Sequence, residues 1–125
     1  MRTLAVLIAA LALVAGCGED DDETAAPRDT FAELVVAVDA DGDGGKAPKR
    51  TEIACETAES GPCAGLSADV FEPTPPETAC TQQFGGPQTA TVTGTFDGRE
   101  VDARYSRANG CEIARWEKAA PLLGA

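Results

Sequence analysis

A β-hairpin between Thr89 and Tyr105 is the feature that most constrains how this 125-residue chain can fold. From Thr89 to Phe96, threonine alternates with apolar residues or glycine. Asp97-Gly98 follows, a dipeptide favoured in two-residue hairpin turns because both positions need a positive φ. Alternation and turn predict one register, because both place the apolar residues of the two strands on the same face. The expected pairs are Phe96–Arg99, Gly94–Val101, Val92–Ala103 and Ala90–Tyr105.

Further strands are expected on either side of the hairpin. Asn109-Gly110 predicts a second turn, which leads into a third consecutive antiparallel strand over Cys111–Trp116. Upstream, the apolar run Leu34–Val38 is typical of a strand covered on both faces. Lys49–Cys55 predicts another strand, in which alternate residues share a face; these are Thr51, Ile53 and Cys55.

Shorter elements complete the expected domain. Apolar residues at helical spacing predict one short helix over Ala64–Phe71. The three prolines of Glu72–Glu77 exclude a helix or a central strand, so this segment should be extended. Glu117–Ala125 is expected to form a helical turn before Pro121, with Leu122-Leu123 packed on the sheet. The fold class is therefore α+β, an antiparallel sheet of about five strands with one or two short helices.

The acidic segment after the first strand has two interpretations. Asp39, Asp41 and Asp43 have the spacing that begins an EF-hand calcium loop, but the twelfth position is Arg50, where a bidentate glutamate is needed. No helices are expected to flank it. An acidic connection between two strands is the preferred interpretation, and ion binding at Asp39-Asp41-Asp43 is the alternative.

The first thirty residues have the pattern of an export signal and a tether. Arg2 precedes an apolar run, Leu4–Val14, that is too short to span a bilayer, so residues 1–16 predict a cleaved signal peptide. Val-Ala-Gly before Cys17 resembles a bacterial lipobox, which would make Cys17 the lipidated N-terminus. Ordinary cleavage that leaves Cys17 as a free thiol is the alternative. Residues 17–30 would then be the lipidated cysteine with an acidic tether, and residues 31–125 the folded domain.

Composition excludes several classes of function. The chain contains no histidine, which removes a Ser-His-Asp triad, a Cys-His dyad and the commonest metal ligand. Its carboxylates are scattered and form no evident acid/base pair. A net charge of −11 argues against nucleic-acid binding. We therefore expect no enzymatic activity, no cofactor and no metal, and recognition through an exposed loop instead.

Four cysteines remain after Cys17, and they allow three disulfide pairings among which the sequence does not choose. Metal binding is the competing interpretation. An exported chain with no histidine and no CxxC motif favours disulfides over a metal site.

The run TATVTGTFDGREVDARYSRANGCE, residues 89–112, resembles the C-terminal half of the subtilisin-inhibitor-like family of secreted bacterial serine protease inhibitors. The hairpin with its glycine turn, Tyr105-Ser106-Arg107 and Asn109-Gly110-Cys111-Glu112 carry the resemblance. It spans roughly Phe31–Trp116, is specific from Cys80 to Glu112 and is weaker before that. It implies two disulfides, Cys55–Cys63 and Cys80–Cys111.

The resemblance also implies that Cys80-Thr81-Gln82-Gln83-Phe84 is a reactive loop, which lies in the protease cleft as an extended strand. Gln82 would enter the S1 pocket as P1, and Gln82-Gln83 would be the scissile bond. The other subsites follow by position: Ala79 is P4, Cys80 is P3, Thr81 is P2 and Phe84 is P2′.

Three residues differ from the family pattern. Thr81 stands where many relatives have proline. Gly85-Gly86 replaces a single aspartate, which implies an inserted residue and a looser loop. Gln82 is neutral and polar, which suits a broad subtilisin-type pocket better than a trypsin-type pocket.

The resulting hypothesis is an inhibitor of subtilisin-like serine endopeptidases, lipid-anchored at the extracytoplasmic face of a bacterial cell membrane. The alternative is a lipid-anchored envelope module that has the same fold and binds a partner through another surface, without inhibition. Relatives form dimers through their sheets, so a homodimer is consistent with the resemblance.

Overall fold

A computed structural model of the chain describes residues 30–124. The predictions for the signal peptide, the lipidated Cys17 and the acidic tether up to residue 29 lie outside the described residues. The chain forms four strands, β1 (Ala32–Asp39), β2 (Lys49–Cys55), β3 (Thr89–Phe96) and β4 (Arg99–Tyr105). They make one antiparallel sheet in the order β2-β1-β3-β4.

The β3–β4 hairpin has the predicted turn and register. All four predicted pairs are present, from Phe96 opposite Arg99 to Ala90 opposite Tyr105. Gly94 lies in the middle of β3 with φ +134°, and a Cβ there would be 2.0 Å from the backbone oxygen of Glu33 on β1. Glycine is required at this position because any side chain would separate the two central strands.

Strand β1, one of the two central strands, is covered on one face only. Leu34 and Val36 are buried, whereas Val35 is half-buried and Glu33 is exposed. On the same face of the sheet as Val35, its partner Thr93 on β3 is exposed. None of the described elements covers this second face of the sheet. The prediction of a strand covered on both faces is therefore wrong, although the prediction of a strand is confirmed.

The third strand predicted after the hairpin is also wrong, because Gly110–Lys118 forms helix α1. Asn109 is extended, and its side-chain oxygen accepts a hydrogen bond from the backbone N–H of Glu112 at 3.0 Å. Asn109 thus caps the N-terminus of α1. The negative charge of Glu112 in the first turn and the positive charge of Lys118 in the last turn interact favourably with the partial charges at the two helix ends. The sheet consequently has four strands rather than about five.

A single turn of 3₁₀ helix, Gly61–Cys63, precedes the segment predicted as one short helix, Ala64–Phe71, and that segment contains only a second such turn, Ala68–Phe71. The Cys55–Cys63 disulfide attaches the first turn to the end of β2. Gly65, with φ +79°, and the extended Ser67 interrupt helical geometry before Ala68, so no continuous α-helix forms over this segment. Glu72–Glu77 is extended only in part, because the N–H of Thr78 donates to the oxygen of Pro75 and closes a turn.

The C-terminal residues close the core. Helix α2 (Ala120–Leu123) follows α1, and both Leu122 and Leu123 are buried, as predicted. Trp116 on α1 is 3% exposed. In residues 30–124, no helix is both long enough and apolar enough to cross a membrane.

Asp39 organises the acidic connection between β1 and β2. Its carboxylate accepts the backbone N–H groups of Asp41, Gly42 and Gly44 at 2.9–3.0 Å. The hydrogen bond from Gly42 is the main cause that lowers the pKa of this carboxyl. An acidic loop between two antiparallel strands is thus confirmed. Within the described part of the chain, no three His, Cys, Asp or Glu side chains are grouped as metal ligands.

Candidate functional site

The Cys80–Phe84 loop is fixed at its first end to the start of helix α1. Cys80 forms a disulfide with Cys111, which is the pairing that the family resemblance implies. One residue later, the oxygen of Thr81 accepts the backbone N–H of Gly110 at 3.0 Å. A Cβ on Gly110 would lie 2.0 Å from Thr81 Oγ1, so the absence of a side chain allows this close contact. A covalent bond and a hydrogen bond therefore hold two consecutive residues of the loop.

Gly85 fixes the second end of the loop. Its N–H donates to the backbone oxygen of Arg107 at 2.7 Å, and its oxygen accepts Arg107 Nε–H at 3.0 Å. The sequence predicted that the inserted Gly85-Gly86 would make the loop looser. That comparison with the family pattern stays a prediction; in this structure both backbone polar groups of Gly85 are bonded to Arg107, in the segment between β4 and α1.

Gln82, Gln83 and Phe84 lie between these two anchors and are exposed. The Phe84 side chain is 69% exposed. No protein group in residues 30–124 forms a hydrogen bond with any of these three residues. Their backbone N–H and C=O groups are therefore free to pair with a strand of a partner.

The anchors themselves rest on packed side chains. The guanidinium of Arg107 lies over the ring of the buried Trp116, with Cζ 5.8 Å from the ring centroid. On α1, Glu112 accepts the hydroxyl of Thr74 at 2.8 Å and the Nη1 of Arg115 at 2.9 Å. The segment leading into the loop is thus attached to the same helix as the loop.

Arg115 extends this support to the sheet. Its Nε donates to the oxygen of Glu72 and its Nη1 to the oxygen of Arg104, both at 2.9 Å. Its guanidinium also lies over the ring of Tyr105, whose hydroxyl donates to the oxygen of Val70 at 2.9 Å. Burial raises the pKa of Tyr105 to about 12, and the nearby charge of Arg115 opposes this shift. The hydroxyl is therefore neutral at physiological pH.

The loop carries no ionisable side chain outside its disulfide-bonded cysteine. It offers a neutral peptide with one exposed aromatic ring, which is suited to recognition. The reactive-loop assignment of Ala79 to Phe84 stays a prediction. Arg107 and Gly110 were not predicted as anchors. Their contacts join residues more than twenty positions apart, and no local pattern signals them.

Comparison with protein-family models, with curated proteins and with solved structures finds no match to this chain.

Proposed function

We propose that this protein inhibits subtilisin-like serine endopeptidases by binding them as a substrate does. Gln82-Gln83 is the bond presented to the protease, with Gln82 in the S1 pocket. The observation that carries the proposal is the exposed tripeptide Gln82–Phe84, which is held between an anchor at Cys80-Thr81 and an anchor at Gly85.

Fixed ends favour tight binding. A free peptide loses conformational entropy when it becomes an extended strand in a cleft, whereas a loop held at both ends loses less. The unpaired backbone groups of Gln82–Phe84 supply the main-chain hydrogen bonds of strand addition. Alternate side chains, including the exposed ring of Phe84, are then available for subsites of the protease.

Fixed ends also favour inhibition over cleavage. Attack by the serine on the Gln82 carbonyl forms an acyl-enzyme and releases the amine of Gln83. That amine stays attached through Phe84 to Gly85, which Arg107 holds by two hydrogen bonds. The amine therefore remains close to the acyl carbon, and re-formation of the peptide bond competes with attack by water.

The remaining parts of the proposal come from the sequence. Lipidation of Cys17 would hold the inhibitor at the extracytoplasmic face of the membrane, where a secreted protease would meet it. Two disulfides are consistent with an oxidising compartment. The alternative envelope module needs another binding surface of its own. Phe84 is the one large apolar side chain that is exposed in residues 30–124, and it lies in the loop itself, which favours the loop as the surface that binds a protein partner.

Titration of subtilisin with residues 31–125, both disulfides formed, tests the proposal. We expect stoichiometric loss of protease activity, and we expect Gln82→Pro to abolish it. Gln82→Lys should create inhibition of trypsin, whose S1 pocket binds a basic P1 residue. Gln83→Lys is the matched control, with the same charge change on the adjacent exposed glutamine, and it should not inhibit trypsin. Cleavage after Gln82 with full protease activity, or neither inhibition nor cleavage, would contradict the proposal.

A further inference from the structure

A pocket of about 540 Å³ lies between the sheet and the C-terminal helices. We call it the C-terminal pocket. Its apolar wall comes from β1, β2, α1 and α2, and includes Val36, Ile53, Trp116 and Leu122. No residue of the Cys80–Phe84 loop lines it. Its volume is in the range of pockets that hold small organic ligands, which is roughly 300–1,000 Å³.

The charges of this pocket differ in sign from those of the whole chain. Lys49 and Arg107 line it, and no aspartate or glutamate does, although the chain has 21 acidic and 10 basic residues. The ion pairs formed within residues 30–124 use Lys46 and Arg115 as the cations. Lys49 and Arg107 thus have no carboxylate partner in that part of the protein. An apolar cavity with two unpaired cations is complementary to an anion that has an apolar body.

Two lining residues also carry buried polar atoms without a partner. Gln88 Oε1 and Trp116 Nε1 are both buried, and neither forms a hydrogen bond within the described residues. Buried polar atoms of this kind reduce stability unless a partner is supplied. Both residues belong to the wall of the C-terminal pocket, but both atoms are buried behind that wall, and Gln88 Oε1 is an acceptor that a carboxylate cannot satisfy. The case for a ligand therefore comes from the apolar wall and the two cations.

We propose that the C-terminal pocket binds alkyl monocarboxylates. The carboxylate lies between Lys49 and Arg107, and the alkyl chain packs against Val36, Ile53 and Leu122. This site is separate from the proposed protease-binding loop, and the proposal does not depend on inhibition. Arg107 is shared by the pocket and by the Gly85 anchor, so the tests use Lys49, which has no part in the loop.

Fluorescence of Trp116 tests the proposal directly, because Trp116 is the only tryptophan of the chain and forms part of the pocket wall. The full chain is titrated with octanoate and, separately, with octanol, its uncharged counterpart. We expect octanoate to cause a saturable change in emission. Octanol should bind at least about tenfold more weakly than octanoate, because it cannot form the charge-assisted hydrogen bond.

Two variants of β2 locate the binding. Lys49→Gln should weaken octanoate binding by about tenfold and leave octanol binding unchanged. Lys46→Gln is the matched control, since Lys46 is exposed, pairs with Asp41 and does not line the pocket. Thr51→Phe should abolish binding of both ligands, because it places a ring in the pocket on an exposed position of the edge strand. Its thermal unfolding should match that of the wild type, since aromatic residues are tolerated in strands.

The proposal is overturned if octanoate causes no saturable change, or if octanol binds as tightly as octanoate. It is also overturned if Lys49→Gln and Lys46→Gln bind octanoate equally well. Subtilisin inhibition by Lys49→Gln, measured in parallel, should equal that of the wild type, so a failure of one proposal is distinguishable from a failure of the other.

Discussion

The Arg107 side chain should determine how rigid the Cys80–Phe84 loop is. Arg107→Ala removes the 3.0 Å hydrogen bond from Nε to the oxygen of Gly85 and the contact of the guanidinium with Trp116. A hydrogen bond from a charged donor contributes about 1.5–3 kcal/mol, and a cation–π contact about 0.5–1 kcal/mol where it is exposed. Arg107 is only half-buried, so the lower part of the sum, about 2–3 kcal/mol, is the expected loss.

This loss should be largely local to the loop. The backbone oxygen of Arg107 still accepts the N–H of Gly85 in the variant, so the second anchor is weakened rather than removed. A free-energy change of 2–3 kcal/mol corresponds to about 30- to 150-fold in an equilibrium constant. We therefore expect the Gly85 amide to exchange with solvent about 30- to 150-fold faster, and inhibition of subtilisin to weaken by a similar factor.

Amide hydrogen exchange at Gly85 and the inhibition constant for subtilisin are the two measurements. Arg104→Ala is the matched control, because Arg104 has an exposed side chain on β4 and its loss changes the net charge equally. It should change neither quantity. The reasoning is refuted if Arg107→Ala exchanges its Gly85 amide at the wild-type rate, or if exchange accelerates while inhibition is unchanged.

Three further predictions concern stability. Replacing the Cys80–Cys111 pair by serine removes a cross-link over 31 residues and should lower the free energy of unfolding by about 3.7 kcal/mol, measured in urea. Because the pKa of Tyr105 is about 12 in the folded protein and about 10 in the unfolded chain, the stability from its neutral hydroxyl is complete below pH 10 and is lost as pH rises toward 12. Absorbance titration resolves this residue because it is the only tyrosine, and Tyr105→Phe should abolish the pH dependence of unfolding in that range. Gly94→Ala should prevent close pairing of β1 and β3, since the new Cβ at position 94 would lie 2.0 Å from Glu33 O. It should therefore lower the melting temperature by more than the control Thr93→Ala, at an exposed position, does.

The local parts of the fold could be predicted from the sequence, and the contacts between distant residues could not. Asp97-Gly98 determines the turn and alternation determines the face, so the β3–β4 register follows from neighbouring residues alone. The bounds of β2, Lys49–Cys55, are also those predicted. The failure at Cys111–Trp116 came from interpreting Asn109-Gly110 as a hairpin turn. Asparagine followed three residues later by Glu112 is equally a helix start, and the structure uses it so.

In the candidate site, too, the contacts between distant residues could not be predicted from the sequence. The choice of Cys80–Phe84 as the candidate loop comes from the resemblance and stays a prediction. Its second anchor was not predicted, because Gly85 and Arg107 are separated by β3 and β4 and meet only once the hairpin has formed. The single-sided cover of β1 was equally unpredictable, since an apolar run does not reveal which of its faces another element will bury.

The hydrogen bond from the N–H of Gly110, the first residue of α1, to the oxygen of Thr81 couples the loop to the helix. The first N–H groups of an α-helix have no partner inside the helix, and one of those in α1 is donated to the loop instead. The loop and the first turn of α1 should therefore open and close as one cooperative unit, with a shared opening free energy. Trp116 and Leu122 hold the C-terminal helices in the core, far along the chain from the loop. A substitution that loosens those helices should then raise the population of the open loop without touching it, and the exchange rate of the Gly110 amide measures that population.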